Sequence, residues 1–319
     1  MTQMKNFVEM FEKVPVVLTE GSMVERIRRH PSVEMNHWIA HAGLIYEEKG
    51  REVLRQMYGE YIGIGRQYDL PFMALAPSWR ANPERLRQSH FSTHTYINRE
   101  CVDFLKDVRA TYAEYATSIF IGGMMACKGD AYRPEEALSQ YEAALFHQEQ
   151  ADALARSGVD FIKAATLPAM SEAFGIASVL SGYDLPYILS FVIRPEGTLL
   201  DGTPIHQAID TIDTETDPPP YFYMINCVHP IIFEQAMNHE EEYSNILRAR
   251  ILGFQANTSS KSPEELDDLE YLDTTEPEEF AEFMVALHRR FGIKVFGGCC
   301  GSDERHILAI AKRVKNDLF

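Results

Sequence analysis

The strongest constraint on the fold is an alternation. Short apolar runs rich in β-branched residues are each followed by a turn and a longer amphipathic segment, and the pattern continues to the end of the chain. The runs are "VPVVLTE" near Val14, "LPFMALA" near Leu70, "SIFIGG" near Ser118, "VDFIKA" near Val159, "PYILSFV" near Pro186, "YFYMINC" near Tyr221, "ARILGFQ" near Ala249 and "IKVFGG" near Ile293. Between them lie helix-like stretches. In "RPEEALSQYEAALFHQEQADALARSG" the spacing of Leu138, Tyr141 and Leu145 marks an apolar face, and Gly158 supplies a stop. Strand and helix in alternation imply parallel strands joined by right-handed crossovers. Eight such units in 319 residues predict a single α/β domain over 1–319, a closed (β/α)₈ TIM barrel, in preference to an open doubly wound sheet. The stretch of about 30–70, containing "HPSVEMNHWIAHAGLIYEEKG", is longer than one crossover helix needs and is expected to form an insertion at the barrel rim.

Composition removes several function classes. A formal charge of −17 argues against a nucleic-acid partner, because phosphate binding is driven by Lys and Arg neutralising the backbone. The densest acid, Ser262 to Glu279, reads as a solvated loop and helix start. The opening "MTQMKNFVEMFEKVPVVLTEG" has scattered acids and no long apolar segment, so neither a signal peptide nor an anchor is expected, and no run is long enough to span a bilayer. The expectation is a cytoplasmic protein without a membrane partner; self-association into a homo-oligomer stays open.

The five cysteines are Cys101, Cys127, Cys227, Cys299 and Cys300. An odd number in a reducing compartment does not suggest a disulfide framework. Cys101 and Cys127 read as small buried hydrophobes. The others differ in placement: Cys227 follows "YFYMIN" and the Cys299–Cys300 pair follows "IKVFGG", so all three fall at C-terminal strand ends, where a barrel builds its active site. Three thiolates suit Zn²⁺, which in catalytic sites keeps one position open. Gly297, Gly298 and Gly301 would let the backbone turn tightly enough for adjacent cysteines to aim at one ion. The competing readings are buried thiols with no metal, and a sealed structural site with His229 as fourth ligand.

"INCVHP" followed about seventy residues later by "GGCCGSDERHI" resembles the zinc-dependent homocysteine S-methyltransferase family, whose members share an "NC" and a "GGCCG" motif. The likeness extends over most of the chain. "VVLTEGSMVERI" resembles the family's opening strand and turn, with Glu20 where Asp is usual, followed by Gly21. "APSWRANPERL" is similar to its "TNTYQASPERL" segment, and "SGVDFIKAATLP" to its "AGVDLLAVETIP" segment. "SFVIRPEGTLLDGTPIHQAI" and "QANTSS" resemble the segments after the fifth and seventh strands. The resemblance implies a barrel enzyme in which Cys227, Cys299 and Cys300 bind zinc and a small-molecule thiol acceptor takes the open position, a chemistry of methionine biosynthesis. Family members that use methylfolate with cobalamin carry additional modules, for which this length leaves no room. A sulfonium or betaine-like methyl donor is therefore implied. Asn226 and Asn257 match family positions near the site and are expected to orient substrate, as are Ser78 and Trp79 in the "APSW" segment. Trp79 and Tyr223 are the aromatic candidates for cation–π contact with a cationic methyl group.

The departures from the family pattern bear on the acceptor. Ala165 stands where the family has a glutamate that holds the amino group of homocysteine, and a methyl group accepts no hydrogen bond. Either Glu20 recovers that contact or the acceptor is a thiol without an amine there; a non-catalytic zinc- or ligand-binding barrel is the alternative to both. His147 reads as a surface or internally satisfied helix histidine, and His37 and His94 have no evident partners in sequence. Ser302 is expected to cap the last helix.

Overall fold

The computed structural model describes residues 2–239, 243–261 and 274–318. In chain order the elements are α1 (Thr2–Lys13), β1 (Val17–Thr19), α2 (Val24–Arg28), α3 (Glu48–Gln67), β2 (Phe72–Leu75), α4 (Pro83–Gln88), α5 (Ile97–Ala110), β3 (Ile119–Ala126), α6 (Gln140–Ala155), β4 (Phe161–Leu167), α7 (Met170–Leu180), β5 (Tyr187–Phe191), α8 (Ile205–Glu215), β6 (Phe222–Asn226), α9 (Pro230–His239), α10 (Ser244–Arg250), β7 (Ile251–Ala256), α11 (Pro277–Phe291), β8 (Val295–Gly298) and α12 (Glu304–Leu318). The strands form a closed barrel in sequence order. Every neighbouring pair is parallel, and the ring closes where Val17 and Leu18 of β1 pair with Val295 and Phe296 of β8. Each of the eight apolar runs overlaps one of these strands. No helix of the described residues is long and apolar enough to cross a membrane.

Two apolar layers follow from the two-residue period of the strands. Outward residues such as Leu18, Phe72, Ile162, Leu189 and Phe254 pack beneath the helices, while Val17, Met73, Phe120, Phe161, Phe222 and Met224 fill the barrel interior. Helix α1 closes the N-terminal end. Phe7 and Phe11, one turn apart, insert from below: Phe7 stacks on Phe161 at 4.8 Å between ring centroids and Phe11 on Phe222 at 4.6 Å. Solvent is thus kept from the bottom of the interior, and the opposite end is left for chemistry.

Two expectations need correction. Within 30–70, residues 48–67 form α3, the ordinary return helix from β1 to β2; the added rim segment is the shorter stretch before it, with a 3-10 turn at His41–Tyr46. In α6 the face marked by Tyr141 and Leu145 points to solvent, with these residues 73% and 64% exposed, and the helix instead buries Ala143, His147, Gln150, Ala151 and Leu154. The reason is close packing against α7. A Cβ added at Gly175 would lie 2.4 Å from the Gln140 carbonyl and 2.5 Å from the Ala143 Cβ, so only small residues fit between the two helices. Each buried polar side chain on this face has a partner: His147 Nε2 lies 2.8 Å from Glu172 Oε1, and Gln150 Nε2 donates to the Ser78 carbonyl and Asn98 Oδ1, while His147 Nδ1 is left without one. Residues 262–273 of the acidic stretch lie outside the described residues, while Glu278 and Glu279 occupy the first turn of α11, where carboxylates complement the helix dipole.

Candidate active site

A cavity of about 750 Å³ opens at the C-terminal ends of the strands, lined among others by Glu20, Trp79, Tyr132, Ala165, Cys227 and Cys299. Strand ends alone account for this convergence. β6 delivers Asn226 and Cys227, β7 leads into Asn257, β8 leads into Cys299 and Cys300, and β1 into Glu20 and Gly21. Gly21, Asn226, Asn257 and Cys300 also line the cavity.

The three sulfurs meet. Cys227 accepts hydrogen bonds from the Cys299 and Cys300 thiols, which hold it well below the usual thiol range. The same bonds push Cys299 up, and Cys300 up to about 12. Asn226 Nδ2 donates to Cys227 Sγ at 3.0 Å, and the Tyr132 phenol, raised by burial and by the neighbouring thiols, donates to the same sulfur. Among the described residues no group of three or more His, Cys, Asp or Glu side chains stands in metal-coordinating geometry. The donor set nonetheless fits zinc in kind: three sulfurs in mutual hydrogen-bond reach, two of them half-buried, with a cavity beside them. Adjacent cysteines share one turn and would gain little from bridging each other.

Backbone contacts hold the thiol-bearing turns together. Asn257 spans them, its Nδ2 donating to the Cys227 carbonyl at 2.9 Å and its Oδ1 accepting from the Cys300 amide at 3.1 Å. The Cys299 amide donates to the Ala256 carbonyl at 2.7 Å, and Ser302 Oγ donates to the Cys299 carbonyl at 2.7 Å. Ser302 therefore closes the cysteine turn, and the capping expected of it falls to Asp303, whose Oδ1 accepts from the Arg305 amide. The glycines serve close approach. A Cβ at Gly297 would lie 2.8 Å from the Glu20 carbonyl and one at Gly298 2.1 Å from Ser302 Oγ, while Gly301 turns the chain at φ 83°.

Other expected residues divide. The Glu20 carboxylate accepts from Thr19 Oγ1 at 2.7 Å and from the Leu75 amide at 2.5 Å, and burial raises its pKa to about 7. Trp79 faces the cavity, but the Arg80 guanidinium lies 4.6 Å from its ring centroid, so a cation of the chain already neighbours that ring. Ser78 is wholly buried, with its hydroxyl engaged by the Met124 amide and carbonyl and not presented to the cavity. Tyr223 is an outward residue, because strand alternation that turns Asn226 inward turns Tyr223 out. Its ring stacks on Phe191, its hydroxyl bonds Asp213 and Arg250 lies over it, so the cation–π role expected of it toward substrate is corrected to a wall contact. His229 packs edge-on against Phe283 and accepts from the Ile231 amide, away from the cavity. Cys101 and Cys127 are buried, and burial pushes the Cys127 thiol up to about 12. His94 lies against Tyr46, and His37 packs edge-on to Trp38.

Three further residues, Tyr132, His41 and Lys163, belong to the cavity or lie just beneath it. Tyr132 comes from the loop after β3 and His41 from the rim segment, and both reach the cavity only through tertiary folding. Lys163 lies below the cavity floor in β4, wholly buried, with Nζ donating to Gln255 Oε1. Burial lowers it to about 8, against the pull of Glu20 and the thiols. A lysine in an apolar strand was the available clue, since such a residue is almost never buried without a partner.

A family model described as homocysteine S-methyltransferase matches residues 17–314. Among curated proteins, homocysteine S-methyltransferase YbgG of Bacillus subtilis is 25% identical over 62% of this chain, a stretch spanning 65% of that protein. Betaine–homocysteine S-methyltransferase 1 of Bos taurus is 21% identical over 97% of this chain and 75% of its own length. S-methylmethionine–homocysteine S-methyltransferase BHMT2 of Pongo abelii is 23% identical over 97% and 81%. Among solved structures, the homocysteine methyltransferase MmuM from Escherichia coli superposes with a TM-score of 0.76 in its oxidised form and 0.75 in its metallated form. These matches are 20% and 18% identical, each covering 97% of this chain and 99% of the other.

Proposed function

Since the chain belongs to the homocysteine S-methyltransferase family, we propose that it moves a methyl group from a sulfonium or betaine-like donor to a thiol activated by zinc at Cys227, Cys299 and Cys300. The single observation that carries this reading is the meeting of three sulfurs from two strand ends in one cavity. Zinc, when bound, deprotonates a coordinated thiol near neutral pH. The chain does the rest. Asn257 sets the distance between the cysteine-bearing turns, and Asn226 directs an N–H at the sulfur of Cys227. His229 packs on Phe283, so with zinc held by the three cysteines it would not serve as a fourth ligand, which argues against a sealed structural site.

The reaction is a displacement. The acceptor sulfur forms the new S–C bond with its electron pair as the donor's C–S or C–N bond breaks, the neutral sulfide or amine leaves with that bond's electrons, and the acceptor's proton goes to water. No residue has to act as acid or base at the methyl carbon, so positioning and exclusion of water carry the rate. The acceptor we read as a thiol without an amine at the place facing Ala165. Ala165 offers no hydrogen-bond acceptor in its side chain, and both Glu20 carboxylate oxygens are engaged within the chain. Zinc-loaded protein assayed with S-methylmethionine, S-adenosylmethionine and betaine against a panel of thiols tests this, with Cys299→Ala as control. Turnover lost together with zinc in that variant is the expected result; methyl transfer that persists without zinc would overturn the reading.

A further inference from the structure

The hydrogen-bonding capacity left over in the cavity is lopsided. Three carboxylates line it: Glu20 is bonded through both oxygens, by Thr19 and the Leu75 amide, and Glu25 through both, by Arg29 and the Gly301 amide, while Asp130, exposed at the rim, accepts from the Tyr132 amide through Oδ1. The cations are less spent. Arg29 pairs with Glu25 and Arg133 with Glu136, but Arg80 donates only to the Cys127 and Gly129 carbonyls. Arg28, exposed at the end of α2 on the cavity lining, has no hydrogen-bond or ion-pair partner among the described residues. Beneath the floor, Lys163 sits two residues before Ala165 on the same inward face of β4; among the described residues it has no ion pair, though Glu20 acts on it electrostatically. His41 adds a buried imidazole whose Nδ1 lacks a partner, and burial alone lowers it to about 4, so it enters neutral chemistry as a further polar group without negative charge.

An ammonium entering this cavity finds both inner carboxylates, Glu20 and Glu25, already bonded through both oxygens, whereas an anion meets the Arg28 guanidinium with no hydrogen-bond partner among the described residues. Guanidinium matches the planar two-oxygen face of a carboxylate or the oxygens of a sulfonate. The geometry points to an acceptor thiol that carries an anionic head, carboxylate or sulfonate, read by Arg28 at the cavity rim, and that carries no ammonium. This inference rests on the thiol-methylating reading above and narrows its substrate class.

Calorimetric titration of zinc-loaded protein separates the two. The probes are 4-mercaptobutyrate, 3-mercaptopropanesulfonate, 3-mercaptopropylamine, 3-mercaptopropanol and homocysteine. The anionic thiols are expected to bind about tenfold or more tightly than the amine and the alcohol, with Arg28→Met removing that advantage. The order of the two anionic probes tells carboxylate from sulfonate. Binding of 3-mercaptopropylamine or homocysteine as tight as that of the anionic thiols overturns the inference, as does an Arg28→Met protein with the preference intact. Anionic thiols that bind as expected but accept no methyl from any donor leave the inference standing and sink the methyltransferase reading; a protein that takes up no zinc sinks both.

Discussion

Cys227 and Thr166 stand at the barrel mouth with φ of 59° and 58°, a region that L residues rarely occupy. Each such residue costs on the order of 1 kcal/mol and persists only where surrounding bonds over-determine it. They do so here. The Cys227 amide donates to the Gln255 carbonyl at 3.1 Å, and the Thr166 amide donates to Asn226 Oδ1 at 3.2 Å. Asn226 is thus shared: the same side chain fixes the strained turn of β4 through its oxygen and approaches Cys227 through its nitrogen. Asn257 holds a comparable place between the two cysteine turns, and removing it would free both from a common distance. Asn257→Ala is expected to weaken zinc binding by roughly 10–100-fold in a chelator competition, the usual cost of losing an orienting partner, with the barrel still folded by circular dichroism. An affinity unchanged within twofold would mean that the backbone bonds of the turn suffice.

At the scale of elements, α6 shows why an apolar stripe on a helix is not always its inner face. The α6–α7 contact is set by volume, with Ala143 against Gly175, and its buried polar residues are each given partners by α5, α7 and the loop after β2. Alanine has the higher helix propensity, so Gly175→Ala would be stabilising on an isolated helix. Here the new Cβ would overlap backbone of α6, and a net loss of about 1–3 kcal/mol in chemical denaturation is expected. Leu145→Ser, on the stripe that faces solvent, should change the same midpoint by no more than about 0.5 kcal/mol. Helix α1 makes the complementary point. Its two phenylalanines one turn apart look like any amphipathic helix, yet they pack into the interior of the sheet instead of onto its outside.

For the whole molecule, the closed ring makes the site a property of global folding. Cys227 and the Cys299–Cys300 turn are neighbours only because β7 pairs with both β6 and β8, and Glu20 joins them only because β1 closes on β8. A ligand held jointly by these strand ends must then stabilise the native state over the unfolded one by mass action. Zinc at a thousandfold excess over its dissociation constant is expected to raise the unfolding free energy by about 4 kcal/mol, read as a shift of the thermal midpoint that a chelator reverses. Cys227→Ala should lose most of that shift; an equal shift in the variant would place the ion elsewhere.

The eight strands, the barrel and the position of three thiols at strand ends were legible in the sequence. Periodicity, strand length and turn residues are local, and a parallel sheet of eight units has few ways to bury its faces. The same applies to Cys101 and Cys127, because a lone cysteine is among the residue types most often buried. Tertiary structure alone decided which polar groups share the cavity and which are spent. Glu20 is engaged by its own neighbour and by β2, Ser78 is tied to β3 and Tyr223 is turned to the wall. Tyr132 and His41 arrive from a loop and a rim segment distant in the chain, and Arg28 has no hydrogen-bond or ion-pair partner among the described residues. Hydrogen-bond satisfaction depends on distances between segments that are far apart in sequence, and no spacing along one strand encodes them.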